Sequence, residues 1–128
     1  MANKVIFSAI SGQVLLQGQP VAGARIERSA RWDDEQATDD TASGTDGRFS
    51  LPAITRKRGL LDGILASEPF IEQEILIQHG GKTAKAWVFR KRNYRDNGEL
   101  DGRPIRMTCR LDSEPQSRGK VFGVCELD

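Results

Sequence analysis

One histidine, two cysteines and three charge-dense segments carry whatever chemistry this chain of 128 residues has to offer. His79 stands before Gly80-Gly81, at what reads as the tip of a hairpin. A general base there would reach solvent, but no serine or cysteine nucleophile is arranged near it in sequence, so an exposed turn residue is expected. Cys109 and Cys125 do not form a CxxC pattern, and a zinc site of the carboxypeptidase kind needs more than one histidine and an HxxE arrangement that is absent. No metal, cofactor or catalytic residue is expected. The cysteines read as small buried strand residues with free thiols, because a cytosolic chain seldom keeps a disulfide.

The strongest local charge lies between Asp33 and Asp46, where Asp33, Asp34, Glu35, Asp39, Asp40 and Asp46 are unaccompanied by any lysine or arginine. A calcium loop would space its carboxylates at alternate positions and end on a bidentate glutamate, and this segment does neither. Three uses stay open: a solvated loop kept polar for solubility, a docking surface for a basic partner, or a weak cation site. Trp32 at its mouth is either a lid over the end of the fold or an interface anchor. Trp32, Asp33, Asp34, Glu35, Asp39 and Asp40 are accordingly the expected partner-binding set. Two basic clusters balance them, Arg56-Lys57-Arg58 and Arg90-Lys91-Arg92 with Arg95. The second is interleaved with Trp87, Phe89 and Tyr94, a mixture able to stack single-stranded bases, although alternation along a strand would turn Trp87 and Phe89 into a core instead.

The whole chain is nearly neutral, with 19 basic and 18 acidic residues. Domains built around a phosphate backbone carry a clear basic excess, so nucleic acid is not expected as a partner. Apolar runs such as Val5-Ile6-Phe7 are far shorter than the roughly 20 residues of a membrane helix, and the N-terminal region lacks the apolar core of a secretory signal. A single domain spanning residues 1–128, cytoplasmic and monomeric or homodimeric, is the expectation.

Period-two alternation must position these groups. Lys4 to Leu16 reads as a long strand bent at Ser11-Gly12, and Val21 to Ile26 as a second strand with Ala24 and Ile26 on one face. Arg31 to Thr45 reads as a loop. Asp46-Gly47 then turns the chain into a strand with Phe49 and Leu51 on one face. Leu60, Leu61, Ile64 and Leu65 predict one or two helical turns within Thr55 to Pro69. Glu72–Gln78 and Thr83–Phe89 flank the Gly80-Gly81 turn, which predicts a hairpin with Ile77 opposite Ala84, Ile75 opposite Ala86, and Trp87 on the other face. Ile105 to Leu111 and Val121 to Leu127 form a last pair of strands. About seven strands with no helix long enough for a βαβ crossover predict an all-β sandwich.

The stretch SGQVLLQGQPVAGARIERSARW followed by TASGTDGRFSLPAI resembles the carboxypeptidase regulatory-like (transthyretin-like) domains. The matching positions are Gly12, Val14, Pro20, Val21, Gly23, Ala24, Thr45, Asp46, Gly47, Phe49 and Leu51, within residues 11–54. The resemblance implies a seven-stranded Greek-key (prealbumin-like) sandwich used as an accessory or interaction module. Transthyretin-like hydrolases share the fold but resemble a histidine-and-arginine site closed by a C-terminal Tyr-Arg-Gly-Ser, whereas this chain ends FGVCELD. The expectation is therefore a non-enzymatic module that binds another protein, most specifically an immunity or antitoxin-type protein capping a basic toxin or nuclease. An accessory or carrier domain of an envelope or secretion assembly is the alternative.

Overall fold

In β-branched and aliphatic residues that alternate with polar ones, one face of a strand can be buried while the other meets water. A computed structural model, describing residues 3–57 and 69–128, shows that this alternation builds an all-β fold. The strands are β1 (Lys4–Phe7), β2 (Ile10–Leu16), β3 (Gln19–Pro20), β4 (Arg25–Trp32), β5 (Glu35–Ala42), β6 (Arg48–Leu51) and β7 (Ile54–Arg56). They continue with β8 (Ile71–His79), β9 (Lys82–Lys91), β10 (Ile105–Arg110), β11 (Gln116–Arg118), β12 (Val121–Gly123) and β13 (Cys125–Leu127). One six-stranded sheet runs β11-β12-β9-β8-β4-β5, and a five-stranded sheet runs β13-β10-β2-β3 with β6 also paired to β2. β1 and β7 form a separate ribbon. The two large sheets bury a common core in which Ile26, Ile75, Ile77 and Trp87 of the first meet Val14, Ile105 and Met107 of the second. The arrangement is that of a β-sandwich. Among the described residues the helical content is a single 3-10 turn at Gly98–Leu100. Thr55 and Arg56 are strand, and the remainder of the expected helical segment, 58–68, lies outside the described residues. No helix among the described residues is long and apolar enough to cross a membrane.

Several sequence expectations are met where the signal is local. Asp46-Gly47 turns the chain with Gly47 at φ 77°, and Phe49 and Leu51 are both buried. A Cβ on Gly47 would stand 2.6 Å from the Val14 carbonyl oxygen, so the close turn needs glycine for space as well as for φ. Ala24 and Ile26 share the inner face, although the strand itself begins at Arg25.

Other expectations are corrected. The first strand breaks at Ser8-Ala9, not at Ser11-Gly12, because Ser8 is drawn into buried hydrogen bonds. Gly12 stays in the ladder: a Cβ there would meet the Met107 carbonyl oxygen at 2.7 Å, so its role is close packing against β10. The hairpin keeps Ile77 opposite Ala84, but a bulge between Ile75 and Leu76 puts Trp87, not Ala86, opposite Ile75. Trp87 thereby turns inward and is fully buried with Ala86 beside it. The last expected strand splits at Val124, so that β12 joins the six-stranded sheet while β13 joins β10.

The cysteines are also corrected. Cys109 and Cys125 are direct cross-strand partners on β10 and β13, with Cα atoms 4.0 Å apart, and they form a disulfide.

A buried polar cluster braces the end of the fold near β1. The Glu99 carboxylate accepts from the Ser8 amide at 2.9 Å, the Ser8 hydroxyl at 2.6 Å and the Gln73 amide at 2.9 Å. Gln73 in turn accepts from the Trp87 indole at 3.1 Å. Lys91, fully buried, donates to the carbonyls of Val5 at 2.6 Å and Arg95 at 2.7 Å. Burial holds its ammonium below the usual lysine range, against the raising pull of Glu99 and Asp96. The folded state therefore releases this proton at lower pH than the unfolded state, and the unfolded chain binds more protons as pH climbs toward the ordinary lysine range. Lys91 should make stability rise with pH in that window. Denaturant titrations of the wild type and Lys91→Met across the alkaline range should differ by that slope, and parallel pH profiles would remove Lys91 as its source.

Candidate functional site

The acidic segment is not a loop. Residues 35–42 form β5, paired along its whole length with β4, and the chain reverses through Asp33, whose φ is 54°. Local pattern conceals this strand because its register is held by charge. Arg28 stands opposite Asp39, with Nε donating to Oδ1 at 2.8 Å, and Arg25 reaches the neighbouring Asp40 at 2.7 Å. Cross-strand pairs of opposite charge stabilise a ladder that apolar alternation would otherwise have announced.

The expected partner-binding residues consequently separate into three environments. Asp33, Asp34 and Glu35 are exposed at the β4–β5 tip. Asp39 faces inward and holds Arg28, which is buried, lies 4.9 Å from the centre of the Phe7 ring, and also donates to the carbonyls of Ser8 and Pro52. Asp40 lies on the outer face beside Arg25. Trp32 is buried, with the Arg56 guanidinium over its ring at 5.4 Å. No group of three or more potential metal ligands is present among the described residues.

His79 is exposed beside the Gly80-Gly81 turn, paired in register with Lys82. Among the described residues, no hydrogen bond or ion pair orients its ring. The aromatic residues near the second basic cluster are likewise withdrawn: Trp87 and Tyr94 are buried, and Phe89 packs on the core with its ring 5.6 Å from Trp87.

What the six-stranded sheet does present is an aromatic and arginine strip along the outer face of β9. Phe70 and Phe122 are the exposed large hydrophobic residues among those described, at 48% and 37%. Phe70 precedes the buried Ile71 and so falls on the outer side, where it is flanked by the guanidinium groups of Arg90 at 5.6 Å and Arg92 at 5.0 Å. Phe122 pairs in register with the half-buried Val88 on the same face. Glu72 holds Arg90 at 3.0 Å. The pieces are the residue types that dominate protein interfaces, a rigid aromatic body set among planar cations. Sequence reasoning singled out Arg90 and Arg92 but passed over both phenylalanines. The signal was available for Phe70, which lies out of phase with Ile71, Ile75 and Ile77.

The comparisons with known proteins are sparse. A family described as a domain of unknown function (DUF6795) matches residues 10–114. No curated protein matches. Among solved structures, a 9R-lipoxygenase from Cyanothece PCC8801 is similar at 13% identity and a TM-score of 0.36. The match takes in 88% of this chain but 18% of the lipoxygenase chain.

Proposed function

We infer that this chain, a member of the DUF6795 family of domains of unknown function, works as a non-enzymatic module that binds another protein. The observation that carries the reading is the Phe70 ring left half-exposed between Arg90 and Arg92 on the outer face of the six-stranded sheet. A planar ring among planar cations loses little conformational entropy on docking and offers both apolar area and charge-assisted hydrogen bonds. The Greek-key, transthyretin-like form of the sandwich belongs to the same reading. It is supported by the Asp46-Gly47 turn and the Phe49-Leu51 strand that carry the resemblance, and such domains serve as interaction modules.

The partner's class is proposed as a toxin capped by an immunity-type protein, or else a larger envelope or secretion assembly. Exposure of Asp33, Asp34 and Glu35 at the β4–β5 tip favours the first, since free carboxylates on a tight hairpin can enter a basic cleft. The disulfide weighs on location: it supports an oxidising compartment over the cytoplasm, where thiols are kept reduced.

Binding kinetics with the partner recovered by co-purification test both surfaces. Phe70→Ala combined with Arg92→Ala should weaken binding at least roughly 30-fold, mainly through faster dissociation. Asp33→Asn, Asp34→Asn and Glu35→Gln together should slow association and flatten its salt dependence if the tip also docks. Unchanged kinetics in the first variant would remove the outer face of β9 from the interface.

A further inference from the structure

At the side of the sandwich where β11 and β13 are the edge strands, the sheets part to leave a cleft of about 350 Å³. Its floor is apolar, made by Phe89, Leu100, Val121 and Leu127, and both Phe89 and Leu127 already pack on the main core. Its walls are cationic. Arg103 enters from the segment before β10, while Arg118 comes from the end of β11 and Lys120 from the β11–β12 turn, with Arg90 and Arg92 at the rim. Among the described residues Arg103, Arg118 and Lys120 have no carboxylate partner, although Arg90 has Glu72. Glu99 and Asp101 also line the cleft, but the five cations Arg90, Arg92, Arg103, Arg118 and Lys120 outnumber them, and the Glu99 carboxylate is turned toward three internal donors.

Arg118 gives the cleft its polarity. It stands opposite the buried Val121 in register, and its Nε is buried with no hydrogen-bond partner. Leaving that N–H enclosed without an acceptor costs free energy, and the terminal nitrogens of the same half-buried guanidinium, which are not enclosed and make no ion pair, are the donors an incoming oxyanion would meet. The opposite wall is built in advance. Asn93 donates to the Gly98 carbonyl at 3.0 Å and accepts from the Arg95 amide at 3.0 Å, a closure that leaves no room for a side chain at Gly98. Asn97 and Asp101, either side of the 3-10 turn, both adopt positive φ, a concentration of backbone strain that is common beside binding sites.

We propose that this inter-sheet cleft is a binding site for a small organic oxyanion, a carboxylate or phosphate ester whose charged head pairs with Arg103, Arg118 and Lys120 while an apolar body lies on Phe89, Leu100 and Val121. The volume is at the small end of ligand pockets and suits a single ring or a short chain. Guanidinium groups grip planar carboxylates and phosphates in a bidentate manner, and the apolar floor adds affinity that a bare ion cannot use. The site shares Arg90 and Arg92 at its rim with the Phe70 surface, but its charged head and apolar floor use neither Phe70 nor Phe122.

Titration of the full chain with inorganic phosphate, phenyl phosphate and benzoate, followed by amide and arginine side-chain chemical shifts, tests the assignment. Saturable shifts should centre on residues 118–121 and 98–103, and phenyl phosphate should bind about tenfold more tightly than inorganic phosphate. If benzoate matches phenyl phosphate, the head is read as a carboxylate as readily as a phosphate, whereas a preference for either names the source. Arg118→Ala should weaken the best probe about tenfold or more, and Arg103→Ala, at an exposed position where folding is not at stake, should do the same. Phe70→Ala should leave these shifts untouched. Absence of saturation with all three probes, or wild-type affinity in both Arg103→Ala and Arg118→Ala, would overturn the proposal.

Discussion

Asp39→Ala should destabilise the fold by about 3 kcal/mol, while Asp33→Asn, Asp34→Asn and Glu35→Gln should each change stability by no more than about 0.5 kcal/mol. The contrast follows from where β5 places each carboxylate. Arg28 is 1% exposed and sits beneath the sheet against Phe7, so its charge depends on Asp39 together with the carbonyls of Ser8 and Pro52. Removing the carboxylate leaves a buried cation without its counter-charge, and that desolvation penalty is the main loss. The pair itself need not be worth 3 kcal/mol. Replacing Arg28 and Asp39 together by Met and Ala should therefore cost less than Asp39→Ala alone, a sign that only a double-mutant cycle exposes. Urea unfolding of wild type, Arg28→Met, Asp39→Ala, their double variant and Asp33→Asn decides it. Equal stability of Asp39→Ala and Asp33→Asn would mean that Arg28 finds other compensation and that β5 is held by its backbone ladder alone.

Loss of the Cys109–Cys125 bridge should cost about 3 kcal/mol, read as the difference between wild type and the Cys109→Ala, Cys125→Ala double variant. The disulfide closes a 16-residue span that contains the whole of β11 and β12, two short strands with few other ties to the five-stranded sheet. In the chain-entropy account the bridge stabilises by restricting the unfolded state. Its second effect is native: β13 pairs with β10 through three residues only, and the disulfide is one of those pairs. Thiol titration of the unfolded, unreduced protein should find no free groups. Finding two, with stability unchanged in the double variant, would show the bridge to be absent from the working protein and would return it to a reducing compartment.

The two surfaces proposed for binding differ in how they arise. Phe70 and Phe122 are exposed because strand parity sends their neighbours, Ile71 and Val121, into the core. The cleft exists because β12 and β13, although separated by one residue, leave for different sheets at Val124. That divergence brings Arg118 and Lys120 to face Arg103 across an apolar floor. Substitution of Phe70 or of Arg118 can thus change one without the other, whereas Arg90 and Arg92 belong to both.

Features decided within a few residues were legible in the chain itself. The Asp46-Gly47 turn, the Gly80-Gly81 hairpin and the inward positions of Phe49, Leu51, Ala24 and Ile26 follow from turn chemistry and period two, which need no knowledge of distant partners. The all-β class followed from the same periodicity. Tertiary structure decided the rest, for a common physical reason: a polar strand, a bulge or a disulfide gains its stability from groups far away in sequence. β5 reads as a loop until Arg28 is placed opposite Asp39 and Arg25 within reach of Asp40. Trp87 turns inward only because the ladder slips by one residue at Ile75. Cys109 meets Cys125 only because β13 returns beside β10, and Arg103 meets Arg118 only where the two sheets part. Composition showed balanced charge, but which charges are spent inside the fold and which remain for a ligand is a property of packing alone.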